Sequence, residues 1–429
     1  MSVFAKAKAS RSNNVKSILS GLAMIGVGAL VLSGCAPTTP EKPAGPTKNL
    51  TLNIGTLLPQ TGALAFLGPP EEAGVALAVK DINDAKMGIT VDVTYGDSGD
   101  PDNKAYATTV PTLLAKKVSA IIGAAASGVS KLVIDQVTGS GTILFSPANT
   151  SPDFTTWKDD GLYWRTAPSD LLQGEVLGNL IAEDGAATLG IIALNDAYGT
   201  GLQKVTDKTF TDAGGKVVAT EFFNTGDTNF TAQITSVMAQ KPDAIALISF
   251  DEAKTIIPAL KDAGFDTSKL YLVDGNTTQY GTEGKDALPA GVMTGAKGTQ
   301  PGPVLPDDFV QRLKDAYAAA NNGKDMGDAL NYAAESYDAV VLLALAALAA
   351  NSTDGKAIAA KLQEVSGGSG NGEKATDFKS AATIINAGDV VDYDGYSGGI
   401  KFDDVGDPTE ATIGIFQYDA TNHHTRINK

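Results

Sequence analysis

From Leu50 onward the chain alternates short β-branched apolar runs with longer amphipathic stretches, and it does so twice over. "LTLNIGTLLP" reads as a strand, "PEEAGVALAVKDIND" as a helix opened by proline and acids, and "TVDVTYGD" as the next strand. A helical stretch interrupted at Pro111 follows, then the strand "SAIIGAA", the helix "SGVSKLVIDQVTG" and the strand "TILFSP". Such βαβα alternation predicts a parallel sheet with helices on both faces. After "GLYWRTAPSD" (161–170) the rhythm restarts: "DLLQGEVLGNLIAEDG", "TLGIIALND", "GTGLQKVTDKTFTDAGG" and "KVVATEFF" read as helix, strand, helix, strand. "FTAQITSVMAQK", "DAIALISF", "DEAKTIIPALKDAG" and "KLYLVDG" continue the pattern, so two successive parallel-sheet units are expected.

Beyond Gly291 helices dominate the reading. The apolar run 339–350 is too short to span a bilayer and reads as a buried core helix. "SGGSGNGE" (366–373) reads as a surface loop, and the tail "GGIKFDDVGDPTEATIGIFQYD" as two strands around a "GDP" turn.

The only cysteine, Cys35, stands at the end of the apolar run "ILSGLAMIGVGALV" and before the proline-rich "APTTPEKPAGPTKN". The basic residues Lys6, Lys8, Arg11 and Lys16 precede that run, which is the pattern of a secretory signal. "LSGC" matches the bacterial lipobox, so residues 1–34 are expected to be a lipoprotein signal peptide and Cys35 the lipidated first residue of an extracytoplasmic, membrane-anchored protein. Residues 35–49 then form a semi-rigid tether. Cleavage would remove four positive charges and no acid, taking the net charge from −16 to −20. So acidic a surface excludes nucleic acid as a partner.

The usual enzyme constellations are missing from the sequence: G-x-S-x-G, H-E-x-x-H, a Walker A loop, and G-x-G-x-x-G between strand and helix. The two histidines, His423 and His424, are adjacent and close to the C-terminus. Binding without turnover is therefore expected, with no metal and no cofactor. In open α/β sheets ligands lie outside the carboxyl ends of the strands, near helix N-termini. The residues at those places are Ser127 with its small neighbour Ala126, then Ala148 and Thr150, Tyr198, Phe250 and Asp274. Each has a plainer reading: Ser127 and Thr150 as helix caps, Tyr198 as a packing residue, Asp274 as a turn former. Together, hydroxyls and helix amides suit a carboxylate, while Thr150, the Ala148 carbonyl and Asp274 suit an ammonium. Such a set would recognise an α-amino acid.

"IGTLLPQTGALAFLG", "AGVALAVKDIN", "IIGAAASGVS", "ILFSPANTSP", "YWRTAPSD", "NDAYGTG" and "ALKDAGF", in this order, resemble the type I solute-binding proteins of ABC importers, in their leucine/isoleucine/valine-binding branch. The resemblance covers roughly residues 50–419. It implies an α/β fold of two doubly wound parallel-sheet lobes joined by a three-strand hinge, with 50–167 and 296–402 in lobe 1 and 168–295 and 403–429 in lobe 2. It further implies that Ser127 and Thr150 hold the ligand carboxylate, that the Ala148 carbonyl, Thr150 and Asp274 hold the ammonium, and that Tyr198 closes over the ligand. Asp274 stands where well-known members carry glutamate. Phe250 stands near a second tyrosine of relatives, and Leu67, flanked by Phe66, near a bulky aromatic. The function implied is a monomeric, lipid-anchored receptor handing a small, branched-chain or other aliphatic amino acid to an ABC permease. Receptors for short amides or urea, and extracytoplasmic sensors on the same fold, are the alternatives.

Overall fold

The computed structural model describes residues 49–284 and 287–428; the signal segment, Cys35 and all of the tether except Asn49 lie outside them. Strands β1 (Leu50–Leu57), β2 (Ile89–Thr94), β3 (Ala120–Gly123), β4 (Ile143–Ser146) and β5 (Tyr163–Arg165) form a wholly parallel sheet in the order β2-β1-β3-β4-β5. Helices α1 (Gly68–Ala85), α2 (Tyr106–Ala115) and α3 (Ser127–Gly139) connect them. Every residue of "AIIG" and "ILFS" in β3 and β4 is buried, as parallel strands covered on both faces require.

Helix α4 (Asp170–Glu183) opens the second lobe. Strands β6 (Thr188–Leu194), β7 (Lys216–Phe223), β8 (Ala244–Ile248), β9 (Leu270–Leu272) and β10 (Lys297–Pro301) build its sheet, linked by α5 (Ala197–Asp212), α6 (Thr231–Ala239) and α7 (Ala253–Asp262). The chain then returns to the first lobe with α8 (Asp307–Ala320), α9 (Ala333–Ala350), α10 (Gly355–Val365) and α11 (Phe378–Asn386), α9 packing on α1. A small sheet of β11 (Glu373–Ala375), β12 (Val391–Gly395) and β13 (Gly398–Gly399) follows. Finally β14 (Ile413–Tyr418) and β15 (His424–Arg426) complete the second sheet in the order β15-β14-β10-β9-β8-β6-β7. Helix α9 is long and apolar enough for a membrane span, but it is almost wholly buried inside the first lobe, as its reading as a core helix requires.

Two expectations need correction. The second crossing falls after Pro301 and not near Ala296, because β10 pairs with β9 in parallel and with β14 antiparallel. The third falls beyond Asp403: Phe402 packs edge-on against Phe145 and Trp164, and Asp407 pairs with Arg165, all in the first lobe. The tail does hold two strands on either side of "GDP", β13 and β14, but they belong to different sheets. The turn is closed by a bridge between Phe402 and Pro408 and by the Asp403 amide donating to the Asp407 carbonyl at 3.0 Å, while β14 pairs with β10 and β15. β10 escapes a reading by pattern because "KGTQP" has neither alternation nor a branched apolar residue.

The order in which strands are added switches sides between β1 and β3 in the first sheet and between β6 and β8 in the second, while the strands stay parallel. The carboxyl ends at these two switch points are where an open α/β sheet leaves a crevice. One apolar cluster runs from Leu57 and Leu67 to Tyr198 and Phe250, so the lobes meet there.

Candidate ligand-binding site

In the first lobe the loops after β3 and β4 are knitted into one unit. The Ser146 hydroxyl donates to the Ala124 carbonyl (2.6 Å) and accepts from the amides of Ala148 (3.2 Å) and Asn149 (2.9 Å). Asn149 Nδ2 donates to the Ala125 carbonyl at 2.8 Å, and the Tyr163 hydroxyl donates to Asn149 Oδ1 at 3.0 Å. This mesh sets Ala148 and Thr150 beside the N-terminus of α3, where extended backbone at Ala126 (φ −70°, ψ 123°) leads into Ser127. Ser127 Oγ accepts from the Ser151 amide at 3.3 Å.

In the second lobe Asp196 caps α5 through the Gly199 amide (2.8 Å) and so brings Tyr198 into the first helical turn. Tyr198 and Phe250 stack with centroids 5.2 Å apart. Asp274 follows β9 in a turn held by Asn276, whose side chain accepts from the Val273 amide (2.9 Å) and donates to the Leu247 carbonyl (2.9 Å). Gly275 is required by close approach: a Cβ there would meet Phe250 and the Ser249 carbonyl at 2.8 Å. The lobes touch across the cleft, the Ser151 hydroxyl donating to the Ala197 carbonyl at 2.9 Å.

Between the lobes lies a small cavity with about 240 Å³ of empty space, lined by Leu64, Leu67, Ala125, Ala126, Ser127, Ala148, Tyr198, Phe250, Asp274, Gly275 and Tyr332. That is below the ~300 to 1,000 Å³ typical of drug-sized ligand pockets. Of the eight residues singled out in the sequence, seven line it together; Thr150 is buried outside the lining, its hydroxyl hydrogen-bonded to Asp170 Oδ2 at 2.9 Å.

The electrostatics are one-sided. Asp274 accepts from the hydroxyls of Tyr198 (2.7 Å) and Tyr332 (2.5 Å) and from Gln173 Nε2 (3.0 Å), all neutral donors. Burial raises its pKa, and those hydrogen bonds oppose the rise. Asp170, at the start of α4, is a second acid that the sequence reading missed. It is fully buried, its Oδ1 has no partner among the described residues, and burial together with the Asp274 charge raises its pKa well above the usual range. When Asp170 is ionised it takes the single proton of the Thr150 hydroxyl, which leaves the Thr150 oxygen able only to accept. With both acids ionised, Thr150, Asp170 and Asp274 form an acceptor-only group, whose natural complement is a cation with several N–H donors. The α3 N-terminus with Ser127 is the donor side.

Among known proteins, the chain is 29% identical over 224 residues to the leucine-, isoleucine-, valine-, threonine- and alanine-binding protein of Pseudomonas aeruginosa; the match spans 50% of this chain and 58% of that protein. It is 26% identical over 370 residues to the chemotactic signal transduction system substrate-binding protein BasB of Halobacterium salinarum, covering 81% of this chain and 83% of that one. The crystal structure of the leucine-binding protein LivK of Thermotoga maritima superposes with a TM-score of 0.70 at 22% identity, over 88% of this chain and 98% of that chain. That likeness bears on the fold, which is the type I periplasmic binding protein fold. With a family model matching residues 51–404, the chain belongs to the periplasmic binding protein family.

Proposed function

We propose that this protein is a non-catalytic receptor that captures a small aliphatic α-amino acid, branched-chain or similar, between its lobes and delivers it to an ABC permease. The ammonium lies against Asp274 and the Ala148 carbonyl, and the carboxylate lies at the N-terminus of α3 with Ser127. Leu64, Leu67, Ala126 and Phe250 surround the side chain. The observation that carries this reading is the pairing of a hydrogen-bonded but uncompensated Asp274 with apolar walls in a cavity of about 240 Å³. Cys35 tethers the receptor to the outer face of the membrane through its lipid. The amino acids named for the Pseudomonas aeruginosa relative support the ligand class.

Calorimetry with leucine, leucine methyl ester and isovaleramide tests the assignment. Leucine binds tightest, the ester loses the contacts at α3, and the amide, which lacks an ammonium, binds worst. An amide that binds as well as leucine moves the receptor to the short-amide class. The similarity to BasB over most of the chain favours a second role, reporting the same ligand to a chemotaxis system.

A further inference from the structure

On the hinge side of the molecule a second cavity opens, with about 1160 Å³ of empty space, part of it continuous with solvent. Strand β10, the crossing segment that follows it, the starts of α8 and α9, and β14 and β15 all contribute walls. Tyr332 is the one residue that lines both this cavity and the inter-lobe one.

We propose that this hinge-side cavity is a binding site for a small amphipathic organic cation, a primary ammonium on an apolar body, with the Glu335 carboxylate as its counter-charge. Glu335 is 5% exposed, and no cationic side chain among the described residues pairs with it. Its Oε1 lies over Gly302, where a Cβ would approach it to 3.2 Å, so the crossing glycine leaves space beside the carboxyl on the cavity wall. Asp307 adds a second acid to the lining, while Asp328, also on the wall, is paired with Lys314 Nζ at 3.2 Å. Against them stands Arg426, whose Nη1 donates to the Gly302 carbonyl (2.8 Å) and whose Nε donates to Asn428 Oδ1 (3.1 Å). Glu335 and Asp307, neither ion-paired with a cationic side chain among the described residues, face one guanidinium already engaged with neutral acceptors, a balance that favours a cation. Val304, Leu305 and Leu330 supply the apolar surface, and Val304 is 76% exposed.

Glu335 faces Glu71 of α1 and Asp338 of its own helix, and its carboxyl is pushed up to about 8 by burial and by Asp338. The test is therefore run at pH 8.5, by calorimetry on the whole chain with benzylamine as probe and benzyl alcohol as its uncharged control. Benzylamine binds wild type and Asp274→Ala with equal affinity. Glu335→Gln weakens it about thirtyfold or more, the effect of losing one partner of a buried charged pair. Val304→Lys, a change at an exposed rim position, weakens it severalfold without touching the interior, and benzyl alcohol binds far more weakly than the amine. The assignment is overturned if benzylamine shows no saturable binding at millimolar concentration, if Glu335→Gln and Val304→Lys bind it as wild type does, or if Asp274→Ala abolishes it. That last result would place the amine in the inter-lobe cavity.

Discussion

Arg165 and Asp407, 242 residues apart, form a buried two-pronged ion pair, with Nε to Oδ1 at 2.5 Å and Nη2 to Oδ2 at 2.7 Å. The remaining nitrogen, Nη1, donates to the carbonyls of Ser151 (2.8 Å) and Asn149 (3.3 Å), the residues on either side of Thr150. The last segment of the first lobe thereby holds the loop that carries a proposed ligand contact. Breaking a buried pair by removing one partner typically costs ~3 to 5 kcal/mol. Asp407→Ala is expected to lower stability by about that much in urea unfolding. It should also weaken ligand binding, while Asp407→Asn, which keeps the acceptor oxygen, retains part of both.

Stability falls as pH rises from about 5 to about 8. Burial raises the Glu335 carboxyl from 4.5 to about 8, and raises Asp196 and Asp338 to about 6. Between the ordinary and the raised values the folded protein holds protons that the unfolded chain has released, so raising pH favours unfolding. Urea midpoints across this range check the slope, and Glu335→Gln should flatten it between pH 6 and pH 8.

Ligand binding releases protons at mildly acidic pH. Asp170 and Asp274 share one buried region, and both have raised pKa values. An incoming ammonium stabilises their ionised forms, so affinity increases with pH until both are ionised in the free protein. Calorimetry in two buffers of different ionisation enthalpy counts the protons, and Asp170→Asn should reduce that number.

The anchor makes a separate prediction. Cys35→Ala abolishes partitioning into detergent and membrane fractions and leaves ligand affinity unchanged, since the first strand begins only at Leu50. A mutant that partitions like wild type would remove the lipobox reading.

What the sequence made legible follows from locality. Ser127, Tyr198, Phe250 and Asp274 each stand just after an apolar run that reads as a strand, and the carboxyl ends of strands in such sheets face the crevice. Asp170 stood in plain view but as an ordinary acid in a first helical turn, capped by Ser169. Only the fold turns it toward Thr150. Tyr332 lies 58 residues beyond Asp274 in a stretch without periodicity, and its left-handed backbone (φ 61°) is unusual for an aromatic residue. Nothing local marks it as a partner of the acid. The lobe crossings were misplaced for a related reason: β10 is polar, short and held by pairing with strands on both sides rather than by its own pattern.

The central claim is that Asp274 receives the ammonium of an amino acid, and calorimetry of leucine against Asp274→Ala tests it most directly. Losing one partner of a desolvated charged pair costs ~2 to 5 kcal/mol, which at ~1.4 kcal/mol per tenfold corresponds to roughly a 30-fold to several-thousandfold loss of affinity. Asp274→Asn should recover little, because the amide keeps the shape and loses the charge. Ser127→Ala should cost less, since the backbone amides of α3 still hold the carboxylate. Leucine binding to Asp274→Ala as tightly as to wild type would contradict the site assigned here.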